Sequence, residues 1–86
     1  MKDLERIMKA LANRRRLAIL KLLKNRREAA VGEVAQEIRL SLKATSKHLS
    51  ILYKADLVDR DQRGLSVFYH LSSEQTSVYK SVLNSL

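Results

Sequence analysis

The chain has no cysteine, no proline and no tryptophan, and only two glycines and two histidines among its 86 residues. Without cysteine there is neither a disulfide framework nor a thiolate metal site. Two isolated glycines, Gly32 and Gly64, do not make a phosphate-cradling loop. One phenylalanine and three tyrosines are too few for a platform that stacks single-stranded bases. No apolar run approaches the roughly 20 residues of a membrane span. The amphipathic N-terminus, MKDLERIMKAL, lacks the apolar core of a signal peptide. A soluble, cytoplasmic protein with no membrane partner is expected. No nucleophile, base and orienting residue form a recognisable set, so no enzyme is expected either. The length allows one domain, 1–86. A chain of this size buries only about 60% of its unfolded surface and gains from a partner chain.

What is present is positive charge. The net charge is +8, and residues 1–27, with ten basic side chains against Asp3 and Glu5, account for all of it. The remainder is balanced, but the signs separate. Glu28, Glu33 and Glu37 come first, then Arg39, Lys43, Lys47 and Lys54. Such a balance suits a polyanionic partner; a solvated surface is the alternative.

The segment Val31–Val58, VGEVAQEIRLSLKATSKHLSILYKADLV, reads as two short helices joined by a tight turn. Val34, Ala35 and Ile38 mark the inner face of the first, and Leu40 sits in the turn. Thr45, Leu49 and Leu52 mark the inner face of the second. Its outer face carries Lys43, Ser46, Lys47, Ser50 and Lys54. An exposed helix edged with lysine and small hydroxyl residues, propped on a shorter one, is what a major-groove reading head needs.

Before this segment, Leu4, Ile7, Met8 and Leu11 follow helical spacing. Asn13 caps a second helix, apolar over a wide face through Leu17, Ile19, Leu20, Leu22 and Leu23 and closed by Asn25–Arg27. Ala29 and Ala30 suit a short extended segment. After it, Leu57–Leu71 alternates, with Arg63-Gly64 as the turn of a hairpin, or wing. Val67, Tyr69 and Leu71 point one way and Ser66, Phe68 and His70 the other. Ser72 or Ser73 caps a last helix with Val78, Val82, Leu83 and Leu86 on one face. The fold class is mainly α with a small β-hairpin (α+β), a winged helix-turn-helix with an extra helix at each end. The middle elements supply a core, so the two outer stripes should pair in a homodimer.

These residues resemble the arsenic-repressor (ArsR) family of winged-helix regulators over nearly the whole chain. ALANRRRLAILKLL is similar to the family's opening, VGEVAQEIRLSLKATSKHLSIL to its helix-turn-helix, and ADLVDRDQRGLSVFYHL to its wing. The resemblance implies a homodimer that binds an inverted repeat in double-stranded DNA and represses transcription, often released by a metal ion. The usual ligands are missing here. Ala30 and Gly32 stand where one family site has cysteines, and Ser73–Leu86 has only Glu74 where another has Asp and His. No metal and no cofactor is therefore expected; the inducer stays undefined. Arg39 occupies a turn position often held by glycine, which implies backbone strain. Asp59 and Asp61 stand where the family's wing tends to be basic.

Lys43, Ser46 and Lys47 are the expected base readers, with Ser50 and Lys54 on the same face. Ser41 is a helix cap at a site that can also hold a phosphate. His48 either donates to a phosphate or packs against the wing. Arg16 either clamps a phosphate or fixes the second helix through a buried ion pair. Arg63 at the wing tip is placed to reach a phosphate or the minor groove. Tyr53, Tyr69 and Tyr79 are assigned to core or interface packing. The competing function is a protein-interaction module without DNA binding, supported by Asp59 and Asp61.

Overall fold

A computed structural model describes residues 2–86. In chain order the elements are helices α1 (Lys2–Leu11) and α2 (Arg14–Arg26), strand β1 (Glu28–Ala30), helices α3 (Val31–Ile38) and α4 (Leu42–Lys54), strands β2 (Val58–Arg63) and β3 (Ser66–Leu71), and helix α5 (Ser77–Asn84). The strands form one antiparallel sheet in the order β1-β3-β2. This is the expected winged helix-turn-helix with a helix added at each end.

The core gathers around α2, whose Ile19, Leu20 and Leu23 are almost fully buried. Val34 of α3, Leu49 and Leu52 of α4, Val58 of β2 and Ala29 of β1 close over them. The alternation expected on β3 is present: Tyr69 is buried, and Val67 and Leu71 on its side pack against the core. Tyr79 of α5 is buried, and its hydroxyl donates to the Leu57 carbonyl at 2.6 Å. Burial pushes its phenol pKa well above the ordinary value.

Helix ends follow local chemistry. The Asn13 side chain accepts from the Arg16 N–H at 3.1 Å, and Ser41 Oγ accepts from the Ala44 N–H at 3.1 Å. Both are the expected N-caps. The last helix differs: its cap is Thr76, whose Oγ1 accepts from the Tyr79 N–H at 3.2 Å. Ser72 instead donates to the Glu74 carbonyl in the preceding loop.

The C-terminal ends are closed by cations from other helices. Arg16 Nε donates to the Ala10 carbonyl at 2.6 Å and Nη2 to that of Lys9 at 3.2 Å, ending α1. Arg15 donates to the Ile38 carbonyl at the end of α3, and Arg6 to the Lys54 carbonyl at the end of α4. Lys24 donates to the Leu83 carbonyl of α5 at 2.7 Å. Unpaired carbonyls and the negative end of the helix dipole favour a cation there, each worth about 0.3–1 kcal/mol. Four of the ten basic side chains of the N-terminal segment are thus engaged at helix ends.

Two further expectations are corrected. The hairpin turns at Gly64-Leu65, since Arg63 still pairs with Ser66. Gly64 has φ 62° while Leu65 does not enter the positive-φ region, the pattern of a type II′ turn. The outer helices are not wholly unpartnered: Ile7, Leu11 and Leu83 are buried in the chain's own core. Covering the wide apolar face of α2 consumes that side of each helix. What stays outward is Met8 on α1 and Val78 on α5, both exposed, with half-buried Leu4 beside Met8; Val82 and, beyond the end of α5, Leu86 pack partly against the core.

The turn between α3 and α4 depends on Arg39 at φ 56°, ψ 52°, the left-handed conformation. Its N–H donates to the Gln36 carbonyl, and the Leu40 N–H reaches back to that of Ala35 at 3.0 Å. This is a Schellman-type close with arginine where glycine is the usual residue. Glycine relieves a steric cost of about 1–2 kcal/mol and returns part of it as unfolded-chain entropy. Arg39→Gly should therefore raise stability by roughly 0.5–1 kcal/mol, read as a higher urea midpoint at unchanged slope.

Candidate nucleic-acid interface

On α4 the inner residues Thr45, Leu49 and Leu52 are fully buried. The Thr45 hydroxyl oxygen has no hydrogen-bond partner, so this residue serves packing. The opposite face presents Lys43, Ser46, Lys47 and Lys54 to solvent, with Ser50 half-buried among them. Among the described residues no carboxylate lies within ion-pair distance of these lysines. A row of unpaired donors on one helix face matches phosphate oxygens and base-edge acceptors.

The flanks of this row differ from expectation. Arg16 neither faces outward nor pairs with a carboxylate; it closes α1 and touches His48, Nη1 to Nδ1, at 3.3 Å. A guanidinium has no acceptor atom, so His48 Nδ1 accepts and the ring proton sits on Nε2. Burial first, then Arg16, Arg15 and Lys47, hold the His48 pKa below 6.5. His48 is thus a neutral group on the side of α4 that meets Arg16 of α2.

Arg63 is the larger correction. Its two terminal nitrogens each meet a Glu28 carboxylate oxygen at 2.8 Å, and its guanidinium lies over the Phe68 ring at 4.7 Å. Asp61 stands 3.8 Å from Arg63 and 3.6 Å from His70. Arg63's hydrogen bonds hold the Glu28 carboxyl below its usual range. Strand alternation puts Asp59, Asp61 and Arg63 on one face of β2 and Val58, Arg60 and Gln62 on the other. Since Val58 is buried, the Glu28–Arg63 pair lies on the face turned from the core, and Asp61 is drawn into it.

Arg60 was missed in the sequence. It lies on the core-side face of β2, with its guanidinium 4.0 Å from the ring centroid of Tyr53 on α4. Tyr53, expected in a core or interface, is 36% exposed and acts as a shelf for this cation. The wing cation beside the reading helix is therefore Arg60. Nothing in the local spacing signals that Tyr53 on the helix meets Arg60 on the strand.

A concavity of about 600 Å³ runs along α2 and α3 past Arg14, Ala18 and Lys21, and contains none of the outward side chains of α4. Among the described residues no three of His, Cys, Asp and Glu gather as metal ligands. No described helix is long and apolar enough to cross a membrane.

Residues 13–60 match the model of the bacterial regulatory protein, arsR family. The chain belongs to the arsR family. It is 39% identical over 80 residues to the transcriptional activator HlyU of Vibrio cholerae, covering 93% of this chain and 73% of that protein. It is 30% identical over 78 residues to the transcriptional repressor SdpR of Bacillus subtilis, covering 91% and 82%. Reduced HlyU from Vibrio cholerae superposes with a TM-score of 0.83 at 35% identity, over 99% of this chain and 85% of that one. A homodimeric winged helix-turn-helix DNA-binding domain from Mycobacterium bovis superposes at 0.81 with 31% identity, over 98% and 71%. As a member of this family the chain is a DNA-binding transcriptional regulator.

His48 gives this site a pH signature. Its pKa is lowered in the folded chain, so on acidification the unfolded chain takes up the proton first. Stability should fall as pH drops through 6.5 and level off below the folded pKa. The Glu28 and Glu33 carboxyls, also lowered, act only as the pH falls through the ordinary carboxylate value of 4.5. Denaturant melts of wild type and His48→Gln between pH 7.5 and about 5 check this: the wild-type slope should be flattened in the variant.

Proposed function

We propose that this regulator works as a homodimer that holds α4 of each copy in successive major grooves of an inverted repeat and represses by occupying promoter DNA. The observation that carries the reading is the unpaired outward row of α4, Lys43, Ser46 and Lys47 with Lys54 behind them, beside Arg60 on the wing. In this reading Lys43, Ser46 and Lys47 meet base edges. Arg60 and Lys54 meet phosphates. Ser41, at a helix N-terminus and already capping Ala44, adds at most its backbone surroundings to a phosphate site. Arg16, Arg63 and His48 position the elements that do the reading. Half-site centres about 10 base pairs apart follow from two-fold symmetry.

The named relatives include an activator and repressors. Repression is favoured because the described residues are taken up by core, reading helix, wing and outer helices. Occlusion is the direct effect such a surface has on a promoter. The dimer reading rests on the outward edges of α1 and α5, where Met8 is 55% and Val78 39% exposed. Apolar edges on both helices meet their like across a two-fold axis.

Binding by variants tests the interface. Lys47→Ala should cost about 1–3 kcal/mol on the preferred duplex and relax specificity at one position per half-site. Arg60→Ala should weaken all sequences alike and make the salt slope shallower by roughly one unit per chain. Arg63→Ala, with its guanidinium already held by Glu28, should leave that slope unchanged. Equal weakening of specific and random DNA by Lys47→Ala would refute α4 as the reading head.

Assembly is tested separately. Light scattering should give a dimer at micromolar concentration, and Met8→Asp with Val78→Asp should yield a folded monomer with weakened operator binding. A wild-type chain that is a stable monomer would refute the dimer.

A further inference from the structure

Among the described residues, five large apolar side chains are exposed: Met8, Leu42, Tyr53, Leu65 and Val78. Met8 and Val78 lie on the outward edges of α1 and α5, and Tyr53 carries the Arg60 guanidinium. Leu42 and Leu65 remain. Both border one concavity of about 310 Å³ between the helix-turn-helix and the wing, which also contains Ser46 of the reading face.

The position of Leu42 is unexpected from its spacing. Residues 42, 45, 49 and 52 form one helical stripe, and Thr45, Leu49 and Leu52 are fully buried. Leu42, in the first turn, is 58% exposed and borders the concavity below the wing tip instead of the core. The first turn of a recognition helix is the part that meets base edges. Ser41, just before it, has its hydroxyl committed to the Ala44 N–H. Leu42 is therefore the first α4 side chain open to the groove, with Lys43 beside it and Ser46 one turn further on. The major groove offers one apolar group, the 5-methyl of thymine.

We propose that Leu42 reads a thymine methyl group in each half-site of the target. This deepens the assignment of α4 as the reading helix and rests on it. Lys43 and Lys47 donate to acceptors on neighbouring base pairs, whereas Leu42 offers no hydrogen bond and distinguishes thymine from the other bases by contact alone. A single exposed leucine is ordinary on a protein surface. The inference rests on one that stands in the first turn of the reading helix, on a stripe otherwise buried, in a concavity shared with a reading residue.

The test uses the full chain. Duplexes selected from a random pool give the preferred half-site. Each thymine in it is then replaced by deoxyuridine, which removes the methyl and leaves every hydrogen-bonding group in place. One position per half-site should lose about fourfold in affinity, the worth of one buried methyl group. Leu42→Ala should bind thymine and deoxyuridine duplexes equally while keeping its dependence on Lys47. If Leu42→Ala fails to fold, Leu42→Gln provides the same readout. A preferred half-site without thymine, no methyl-sensitive position, or a sensitivity that survives in the Leu42 variant would overturn the proposal and leave α4 as the reading helix. Failure to select any preferred duplex would overturn both.

Discussion

Helix α2 carries apolar side chains around most of its circumference, and covering them sets the arrangement of everything else. Ile19, Leu20, Leu22 and Leu23 are buried, and α1, α3, α4, α5 and the sheet all pack on this helix. A helix with so wide an apolar face has to be surrounded. The small chain does this only by spending one side of both terminal helices. Ile7, Leu11 and Leu83 turn inward, and the remaining outward edges are narrower than full stripes. The same packing holds α4 with one face down, so its lysines have nowhere to point but outward.

Charge is divided by use. The basic N-terminal segment reads as a polyanion-binding arm when its residues are merely counted. In the folded chain Arg6, Arg15, Arg16 and Lys24 close the C-terminal ends of four helices. Each satisfies carbonyls that a short helix leaves open. Cations placed in this way tie distant elements together: Arg15 links α2 to the end of α3, next to the strained turn at Arg39. Among the described residues, Lys43, Lys47 and Lys54 of α4 stay unpaired in one outward row, which favours a defined docking pose for that helix.

The wing shows how alternation and ion pairing together select a contact. Glu28 and Arg63 stand 35 positions apart in the chain and meet only because β1 pairs with β3 and β3 with β2. Once Arg63 is held on the outer face of the sheet, its neighbour on the other face, Arg60, is the cation next to the reading helix. The aromatic ring of Tyr53 holds the Arg60 guanidinium beside the reading helix.

Periodicity and caps alone determined the element order, the helix-turn-helix, the wing and the outward row on α4, because these depend on contacts within a few residues. Asn13 and Ser41 were legible as caps for the same reason, and the family resemblance followed from those local patterns. Contacts between distant segments were not legible. That Arg16 closes α1, that Arg63 belongs to Glu28, that Tyr53 carries Arg60, and that Leu42 escapes the core despite its spacing were decided by tertiary structure. A side chain's neighbours across elements depend on how those elements cross, and on where the core ends, and neither is encoded in the spacing of any one helix or strand.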